Sequence, residues 1–171
     1  MRYRLLATPT GWFALIDDEG RLRTTWVESA DDEELDGAER DESMYEELAG
    51  RIIAYFGGAP MDFNDVPTPG GPPFFRRCWE ACRRIPPGET RTYAELAAMA
   101  GGGNAAARAA GQAMRNNRLP VIIPCHRVRG AGGRLGGFAG EDDPGSVAVD
   151  RKRWLLDHEI TQTGAGAAAL I

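Results

Sequence analysis

The sequence predicts an α+β fold of two lobes, with a small antiparallel β-sheet in the amino-terminal lobe and a mostly helical carboxy-terminal lobe. Short runs of β-type residues occupy the first 27 positions, and helical spacing of apolar residues returns repeatedly after residue 73. A stretch rich in Gly and Pro, residues 57–73, separates the two patterns as a connector. We place the lobes at residues 1–68 and 69–171, and 171 residues suffice for two such cores.

The first lobe contains three predicted strands at residues 3–7, 12–17 and 22–27, joined by turns at residues 9–11 and 18–20. Residues 31–47 are strongly acidic and predict a solvated loop and the start of a helix. That helix carries Leu48, Ile52, Ile53 and Phe56 at helical spacing and ends at Gly57.

The second lobe begins with a helix over residues 74–84, in which Phe75, Trp79 and Cys82 share a face. Thr92 and Glu95 have the spacing of a capping box, which predicts a short helix over residues 93–100. Three glycines, residues 101–103, end it, and Asn104 is predicted to cap a further helix over residues 105–115. The pair is a helix-turn-helix candidate.

No run of apolar residues approaches the roughly 18 needed to span a bilayer, and the start of the chain lacks the apolar region of a signal peptide. We therefore expect a cytoplasmic protein without membrane contact. Residues 161–171 are rich in Gly and Ala and predict a disordered tail.

The chain has three cysteines, an odd number that fits a reducing compartment and leaves at least one free thiol. Cys78 and Cys82 lie four residues apart in a predicted helix, where they can share a buried face or hold a metal. Burial is the favoured interpretation, because only His126 and His158 could supply imidazole ligands. No metal site is predicted.

Charge is segregated along the chain, although the formal net charge is only −5. Residues 1–73 carry six Arg against sixteen acidic residues, whereas residues 74–139 carry eleven Arg against three Glu. The basic segment, which contains the helix-turn-helix candidate, suits a polyanionic partner. The alternative is a solvated face in an Arg-rich protein.

The second helix of the candidate pair consists mainly of Ala and Gly, whose side chains are too short to reach base edges in the major groove. Small residues instead allow the helix backbone to approach the phosphates closely and leave Arg108 as one long probe able to enter the base stack. An Ala-rich core helix with a surface arginine is the other interpretation.

A reactive group follows an apolar, β-favouring run, residues 119–123. Here Pro124, Cys125, His126 and Arg127 place a thiol, an imidazole and a guanidinium in succession, as at the rim of a reactive pocket. A thiol attacks as the thiolate, and an imidazole held in one tautomer by a carboxylate increases its reactive fraction. Adjacent residues of an extended segment point to opposite sides, so a water between thiol and imidazole is expected.

Several ordered motifs resemble the O6-alkylguanine-DNA alkyltransferases, also called methylated-DNA–protein-cysteine methyltransferases. The resemblance covers most of the second lobe, about half of the chain. It rests on residues 85–88 (Ile-Pro-Pro-Gly), Thr92 and Tyr93, residues 107–111 (Ala-Arg-Ala-Ala-Gly), Asn117, residues 123–128 (Ile-Pro-Cys-His-Arg-Val), Gly136 and residues 155–159 (Leu-Leu-Asp-His-Glu).

The resemblance implies a direct-reversal DNA repair protein that flips O6-alkylguanine out of duplex DNA and transfers the alkyl group irreversibly to Cys125, once per molecule. It implies that His126 deprotonates the thiol through a water and that Glu159 orients the imidazole, with no cofactor or metal. The partner is double-stranded DNA and the protein is expected to be a monomer. The sequence does not decide whether O4-alkylthymine is accepted or whether DNA binding is cooperative.

The resemblance also implies roles for the residues around the thiol. Asn117 holds the turn that bears the cysteine. Tyr93 gives a proton to the purine and rotates the phosphate, and Arg108 fills the gap in the stack. The remaining substrate and DNA contacts fall on Met114, Arg115, Val128 (through nearby backbone groups), Phe138 and Ala139.

Three features depart from the family pattern. Phe138 stands where some members have tyrosine, so a hydroxyl is lost from the pocket wall. Ala139 replaces a serine, so only its backbone amide could bind O6. Residues 141–150 form a segment that is longer and more acidic than expected.

Two other classes of protein are alternatives to an alkyltransferase. A helix-turn-helix regulator with Cys125 as a sensor of alkylation or oxidation would need a base-reading helix and usually a dimer surface. A cysteine hydrolase would need a distant histidine, for which His158 is available. Neither explains Tyr93, Arg108 and Asn117 at their spacings.

Overall fold

The computed structural model describes residues 1–164 except for the side chain of Asn104. These residues divide into two compact units, Met1–Asp62 and a second that begins at Phe63. The α+β class is confirmed, because strands dominate the first unit and helices the second. The division lies slightly before the one expected at residue 68, since Arg83 donates to the carbonyl oxygens of Phe63 (2.7 Å) and Val66 (2.9 Å).

The first unit is built on a meander of β1 (Arg2–Thr8), β2 (Gly11–Asp18) and β3 (Arg21–Val27). All three predicted strands are present, each slightly longer than expected. Glu19 and Gly20 join β2 to β3 with φ angles of 53° and 79°, both positive as a two-residue hairpin turn requires. The backbone N–H of Gly20 also donates to Asp17 Oδ1 at 2.8 Å.

The sheet is mixed, which corrects the expected antiparallel arrangement. β4 (Glu39–Arg40) pairs in parallel with β1, and the strand order is β3-β2-β1-β4. β4 lies inside the acidic stretch for which the sequence predicts a loop. Two residues show no periodicity, so only their pairing with the edge of β1 reveals a strand.

One helix, α1 (Glu46–Phe56), completes the first unit, and it ends before Gly57 as predicted. Its acidic first turn matches the positive end of the helix dipole. Phe13 of β2 is fully buried, and its ring centroid lies 4.8 Å from that of Trp26 and 5.9 Å from that of Phe56. These edge-to-face contacts join the helix to the sheet.

Up to residue 164, the second unit contains four α-helices: α2 (Pro73–Arg83), α3 (Tyr93–Met99), α4 (Ala107–Arg115) and α5 (Val147–Gln162). Two short strands, β5 (Arg91–Thr92) and β6 (Val128–Arg129), pair in parallel. α2 buries Cys78, Trp79 and Cys82, and Trp79 Nε1 donates to the carbonyl oxygen of Ala113 in α4 at 2.8 Å. The predicted burial of both cysteines is confirmed, and both thiols are free.

The predicted helix-turn-helix pair is present as α3 and α4. The capping box is formed in both directions, with Thr92 Oγ1 accepting from Glu95 N (3.2 Å) and Glu95 Oε2 accepting from Thr92 N (2.6 Å). Positive φ angles at Gly101 (77°) and Gly103 (65°) turn the chain between the helices. α4 begins after one 3-10 turn, Asn104–Ala106, and so starts later than predicted. The capping role predicted for Asn104 concerns a side chain outside the described residues.

Residues 117–127 form a compact turn, here called the cysteine turn, which corrects the expectation of an extended segment. Val121 has φ of 73°, Pro120 and Ile123 form an isolated bridge, and Ile123 N donates to Leu119 O at 2.7 Å. Cys125–Arg127 is one turn of 3-10 helix. The β-type residues of this run are buried as a folded loop, because core packing and the hydrogen bonds of the turn override their strand propensity.

α5 begins at a Ser146 cap and extends to Gln162, so the first residues of the predicted disordered tail are helical instead. The rest of that prediction, from residue 165 onwards, lies outside the described residues. Among residues 1–164, no helix is both long and apolar enough to span a bilayer.

We expect Thr92→Ala to lower the free energy of unfolding by about 1 kcal/mol, because it removes the side-chain cap of α3. Urea unfolding followed by circular dichroism measures the change. Thr90→Ala is the control, since it makes the same substitution at a residue that caps no helix. Equal effects of the two substitutions would contradict the capping role.

Candidate active site

Cys125 lies at the closed end of a cavity of about 300 Å³ in the second unit. Its side chain is almost fully buried, and the cavity opens toward exposed residues of α4 and of the loop that follows β6. The wall is formed by Tyr93 of α3, by Ala107, Arg108, Gly111, Gln112, Met114 and Arg115 of α4, and by Gly137, Phe138, Ala139, Gly140 and Asp142.

Asn117 organises the cysteine turn with one side chain. Its Nδ2 donates to the Ile123 carbonyl oxygen (2.9 Å) and to Cys125 Sγ (3.2 Å), while its Oδ1 accepts from Leu119 N (2.9 Å). The amide therefore satisfies backbone groups at both ends of the turn and points a donor at the sulfur. These contacts agree with the role expected for Asn117.

The thiol of Cys125 needs help to ionise. Burial raises its pKa above the ordinary value, and the Asn117 hydrogen bond and the charge of Lys152 only partly oppose this. A base that can take the proton is therefore required near neutral pH.

His126 is fully buried, and its Nε2 lies 2.7 Å from Glu159 Oε1. Burial lowers the pKa of His126, although the Glu159 carboxylate opposes the shift, so the ring is neutral near neutral pH. With the proton on Nε2 facing the carboxylate, Nδ1 carries the acceptor lone pair. Nδ1 is buried and has no hydrogen-bond partner among the described residues.

The Glu159 carboxylate is shared between His126 and Arg127. Arg127 Nε donates to Oε2 at 3.0 Å and Nη2 donates to Oε1 at 2.9 Å, and Arg127 Nη1 also donates to the Ile85 carbonyl oxygen. Burial by itself raises the pKa of Glu159, but His126 and Arg127 outweigh it and hold the pKa well below the ordinary value. The carboxyl group is thus an anion whenever the fold is intact near neutral pH.

Lys152 is a site residue that the sequence analysis missed. Its side chain is fully buried, and Nζ donates to the carbonyl oxygens of Val128 (2.6 Å) and Gly137 (3.0 Å). Burial lowers its pKa to about 8, and the neighbouring Cys125 opposes the shift. The sequence did contain a signal for this residue, because Lys152 is the only lysine of an Arg-rich chain. A compact ammonium is not interchangeable with a guanidinium.

Tyr93 and Met114 lie on the cavity wall, as expected. Burial raises the pKa of Tyr93 to about 12, with smaller contributions from Cys125 and Asp142, so its phenol is a hydrogen-bond donor. Met114 is buried and supplies apolar surface. Val128 is buried too but does not line the cavity. Its carbonyl oxygen accepts a hydrogen bond from Lys152 Nζ.

Residues 137–142, here called the pocket hairpin, close one side of the cavity. Phe138 and Glu141 exchange backbone hydrogen bonds of 2.8 and 2.9 Å around Ala139 (φ 50°) and Gly140 (φ 88°). Phe138 is buried and Ala139 lines the wall. The turn brings both expected residues to the cavity.

Two arginines of α4 lie at the mouth. Arg108 is exposed among small neighbours, and Arg115 Nη1 lies 3.5 Å from Asp142 Oδ2 of the pocket hairpin. His158, the residue that a cysteine hydrolase would require, instead stacks on Trp154 with ring centroids 4.4 Å apart.

Comparisons with known proteins show which family this chain is similar to. A family model described as "6-O-methylguanine DNA methyltransferase, DNA binding domain" matches residues 73–161. Curated relatives named methylated-DNA–protein-cysteine methyltransferase include one from Methanosarcina acetivorans, 35% identical over 161 residues (93% of this chain and 98% of the relative). Another, from Salmonella typhimurium, is 38% identical over 167 residues (90% of this chain and 92% of the relative).

Solved structures are similar across both units. The Mycobacterium tuberculosis O6-methylguanine methyltransferase superposes with a TM-score of 0.79 at 33% identity, covering 94% of this chain and 93% of that one. A structure of the protein from the same organism in complex with DNA gives 0.78 at 32% identity, covering 95% and 94%. This chain therefore belongs to the methylated-DNA–protein-cysteine methyltransferases, the O6-alkylguanine-DNA alkyltransferase family of DNA repair proteins.

Proposed function

We propose that this protein restores guanine from O6-alkylguanine in duplex DNA by accepting the alkyl group on Cys125 Sγ. The observation that carries the proposal is that the Cys125 thiol, the Asn117 amide and the His126 imidazole belong to one turn beside one cavity. Cys125 lines the cavity with Asn117 donating to its sulfur, and His126 of the same turn pairs with Glu159 of α5.

The transfer balances with thiol and base alone. A bond forms between sulfur and the alkyl carbon as the bond between that carbon and O6 breaks, and the electron pair of the broken bond remains on the purine. The proton of the thiol leaves toward His126, and the guanine anion takes up a proton. The thioether is stable, so each molecule acts once, and no cofactor enters the step.

The proton relay runs from the thiol through a water to Nδ1 of His126. A neutral ring with its Nε2 proton held by Glu159 supports this direction of transfer, because Nδ1 is then the basic atom. Arg127 keeps the carboxylate anionic and in place. The resulting imidazolium is stabilised by that same carboxylate.

Tyr93 is proposed to stabilise the departing purine. Its phenol stays protonated because its pKa is raised to about 12, and it lines the cavity with Cys125. A donor aimed at the base neutralises charge that develops as the bond to O6 breaks.

Duplex DNA is proposed to bind along α4, with the lesion turned into the cavity and Arg108 filling the space left in the stack. The small residues of α4 that line the mouth, Ala107 and Gly111, allow the backbone close approach to phosphates. Extrusion costs a few kcal/mol and less for a mispaired base, which selects lesions without sequence readout.

We further propose that the protein acts as a monomer in the cytoplasm. The three free cysteines support a reducing compartment. The second unit holds the whole set of proposed catalytic groups, so no second copy is needed to complete the site.

The test of this function is peptide mass spectrometry after mixing the protein with a duplex that carries one O6-methylguanine. We expect one methyl group on Cys125 and a restored guanine, in equal amounts. Cys125→Ser should bind the duplex but transfer nothing, because a serine hydroxyl has almost no anion at neutral pH. Undamaged duplex is the control, and a methyl group on any other residue, or none at all, would refute the proposal.

We expect Arg108→Ala to slow repair of duplex DNA by about tenfold or more, a barrier change of about 1.4 kcal/mol. Reaction with free O6-alkylguanine should change little, because a free base needs no extrusion. Arg118→Ala is the matched control, since it removes an exposed arginine of the same segment that does not line the cavity. Equal losses of rate on the duplex and on the free base would contradict the stack-filling role of Arg108.

Glu159→Gln should lower the free energy of unfolding by about 3 to 5 kcal/mol near pH 7, because it leaves the buried Arg127 without its anion. The folded-state pKa of Glu159 lies below the ordinary value of 4.5, so its contribution is present above that pH and is lost as the pH falls below it. Transfer should slow by about 100-fold as His126 loses its orienting carboxylate.

Urea unfolding between about pH 7 and pH 3.5 checks this prediction. The difference in free energy of unfolding between the unaltered protein and Glu159→Gln should narrow at the acidic end. Glu89→Gln serves as the control, because it removes an exposed carboxylate that pairs with Arg91 at 2.8 Å. It should change stability by no more than about 0.5 kcal/mol. A difference in free energy of unfolding that is independent of pH would contradict the stabilising role of the Glu159 carboxylate.

A further inference from the structure

The mouth of the cavity carries one acidic side chain. Asp142 is the only acid on the cavity wall within the described residues, and it stands with Arg108 and Arg115 at the exposed end, away from the buried Cys125. A substituent on O6 enters this same cavity, because the alkyl carbon must contact Sγ in the transfer.

The fold holds Asp142 in this place. The pocket hairpin reverses the chain at Ala139 and Gly140, which brings Asp142 back beside Gly137. A side chain at position 137 would collide with Asp142 Oδ1 and with the Glu141 carbonyl oxygen, so Gly137 provides the space that the carboxylate occupies. On its other side, Asp142 Oδ2 faces Arg115 Nη1 at 3.5 Å.

The field of Asp142 extends into the cavity. Burial is the main cause of the raised pKa of Tyr93 and Cys125 the second, but the Asp142 carboxylate adds to it. In the proposed complex, Arg108 enters the base stack and a phosphate neutralises Arg115 at the mouth. Asp142 then remains as a negative charge facing the bound base without its arginine partner.

We propose that Asp142 sets the charge preference of the pocket, so that anionic O6 substituents are disfavoured and neutral or cationic ones are accepted. This proposal rests on the proposed function, because it concerns the groups that reach Cys125. The carboxylate is itself exposed, so solvent screens it and the expected discrimination is modest, about threefold to tenfold.

The test uses three duplexes that differ only at one guanine, which carries an O6-methyl, an O6-carboxymethyl or an O6-(2-aminoethyl) group. Each reaction forms a bond between Cys125 Sγ and the O6-bound carbon and leaves the whole substituent on the sulfur. Single-turnover rates with protein in excess are divided by the rate for the methyl lesion, so a general effect on folding or DNA binding cancels.

Asp142→Asn should raise the relative rate for the carboxymethyl lesion by about threefold to tenfold and lower that for the aminoethyl lesion. Glu141→Gln is the matched control: it removes a neighbouring charge of the same hairpin that does not line the cavity. Its relative rates should stay within about twofold of the unaltered protein.

A second measurement needs no variant. Raising the salt concentration from about 50 mM to about 500 mM should increase the carboxymethyl-to-methyl rate ratio of the unaltered protein, because screening weakens the repulsion. Ratios that respond neither to Asp142→Asn nor to salt would overturn the charge preference. Failure of the unaltered protein to accept methyl from the first duplex would instead refute the proposed function.

Discussion

The buried Glu159 carboxylate is the interaction on which the second unit depends. It lies on α5 and binds both His126 and Arg127 of the cysteine turn, while the backbone N–H of Gly88 donates to it at 3.4 Å. A buried anion is costly unless its partners satisfy it, and here one carboxylate serves an imidazole and a guanidinium together. The Glu159 carboxylate therefore ties α5, the last described helix, to the cysteine turn and sets the tautomer of His126, the proposed base.

The cysteine turn stores backbone strain close to Cys125. Val121 is β-branched and has φ of 73°, a conformation that such residues rarely adopt. It is kept by the buried packing of its neighbours and by Asn117, whose amide bonds to Leu119, Ile123 and Cys125. The strain is local, and its result is a sulfur presented to a cavity with a donor directed at it.

Charge in the second unit is divided between the interior and the rim. Lys152 and Arg127 are buried and bind backbone carbonyls and Glu159, whereas Arg108 and Arg115 are exposed on α4. The excess of arginine in residues 74–139 thus has two uses that composition cannot separate. Asp142 belongs to the rim, and it gives the cavity wall one anionic side chain.

Local signals in the sequence determined the two-unit plan, the three main strands, the carboxy-terminal end of α1 and the capped α3, because capping, turn and periodicity preferences act within a few residues. Several ordered motifs, among them the one around Cys125, likewise sufficed to recognise the family. Only the tertiary structure decided the parallel pairing of β4, the folded loop at Val121, and the contacts of Arg127 and Lys152. These depend on packing between residues far apart in the chain, where burial and hydrogen bonding override the intrinsic preference of each segment.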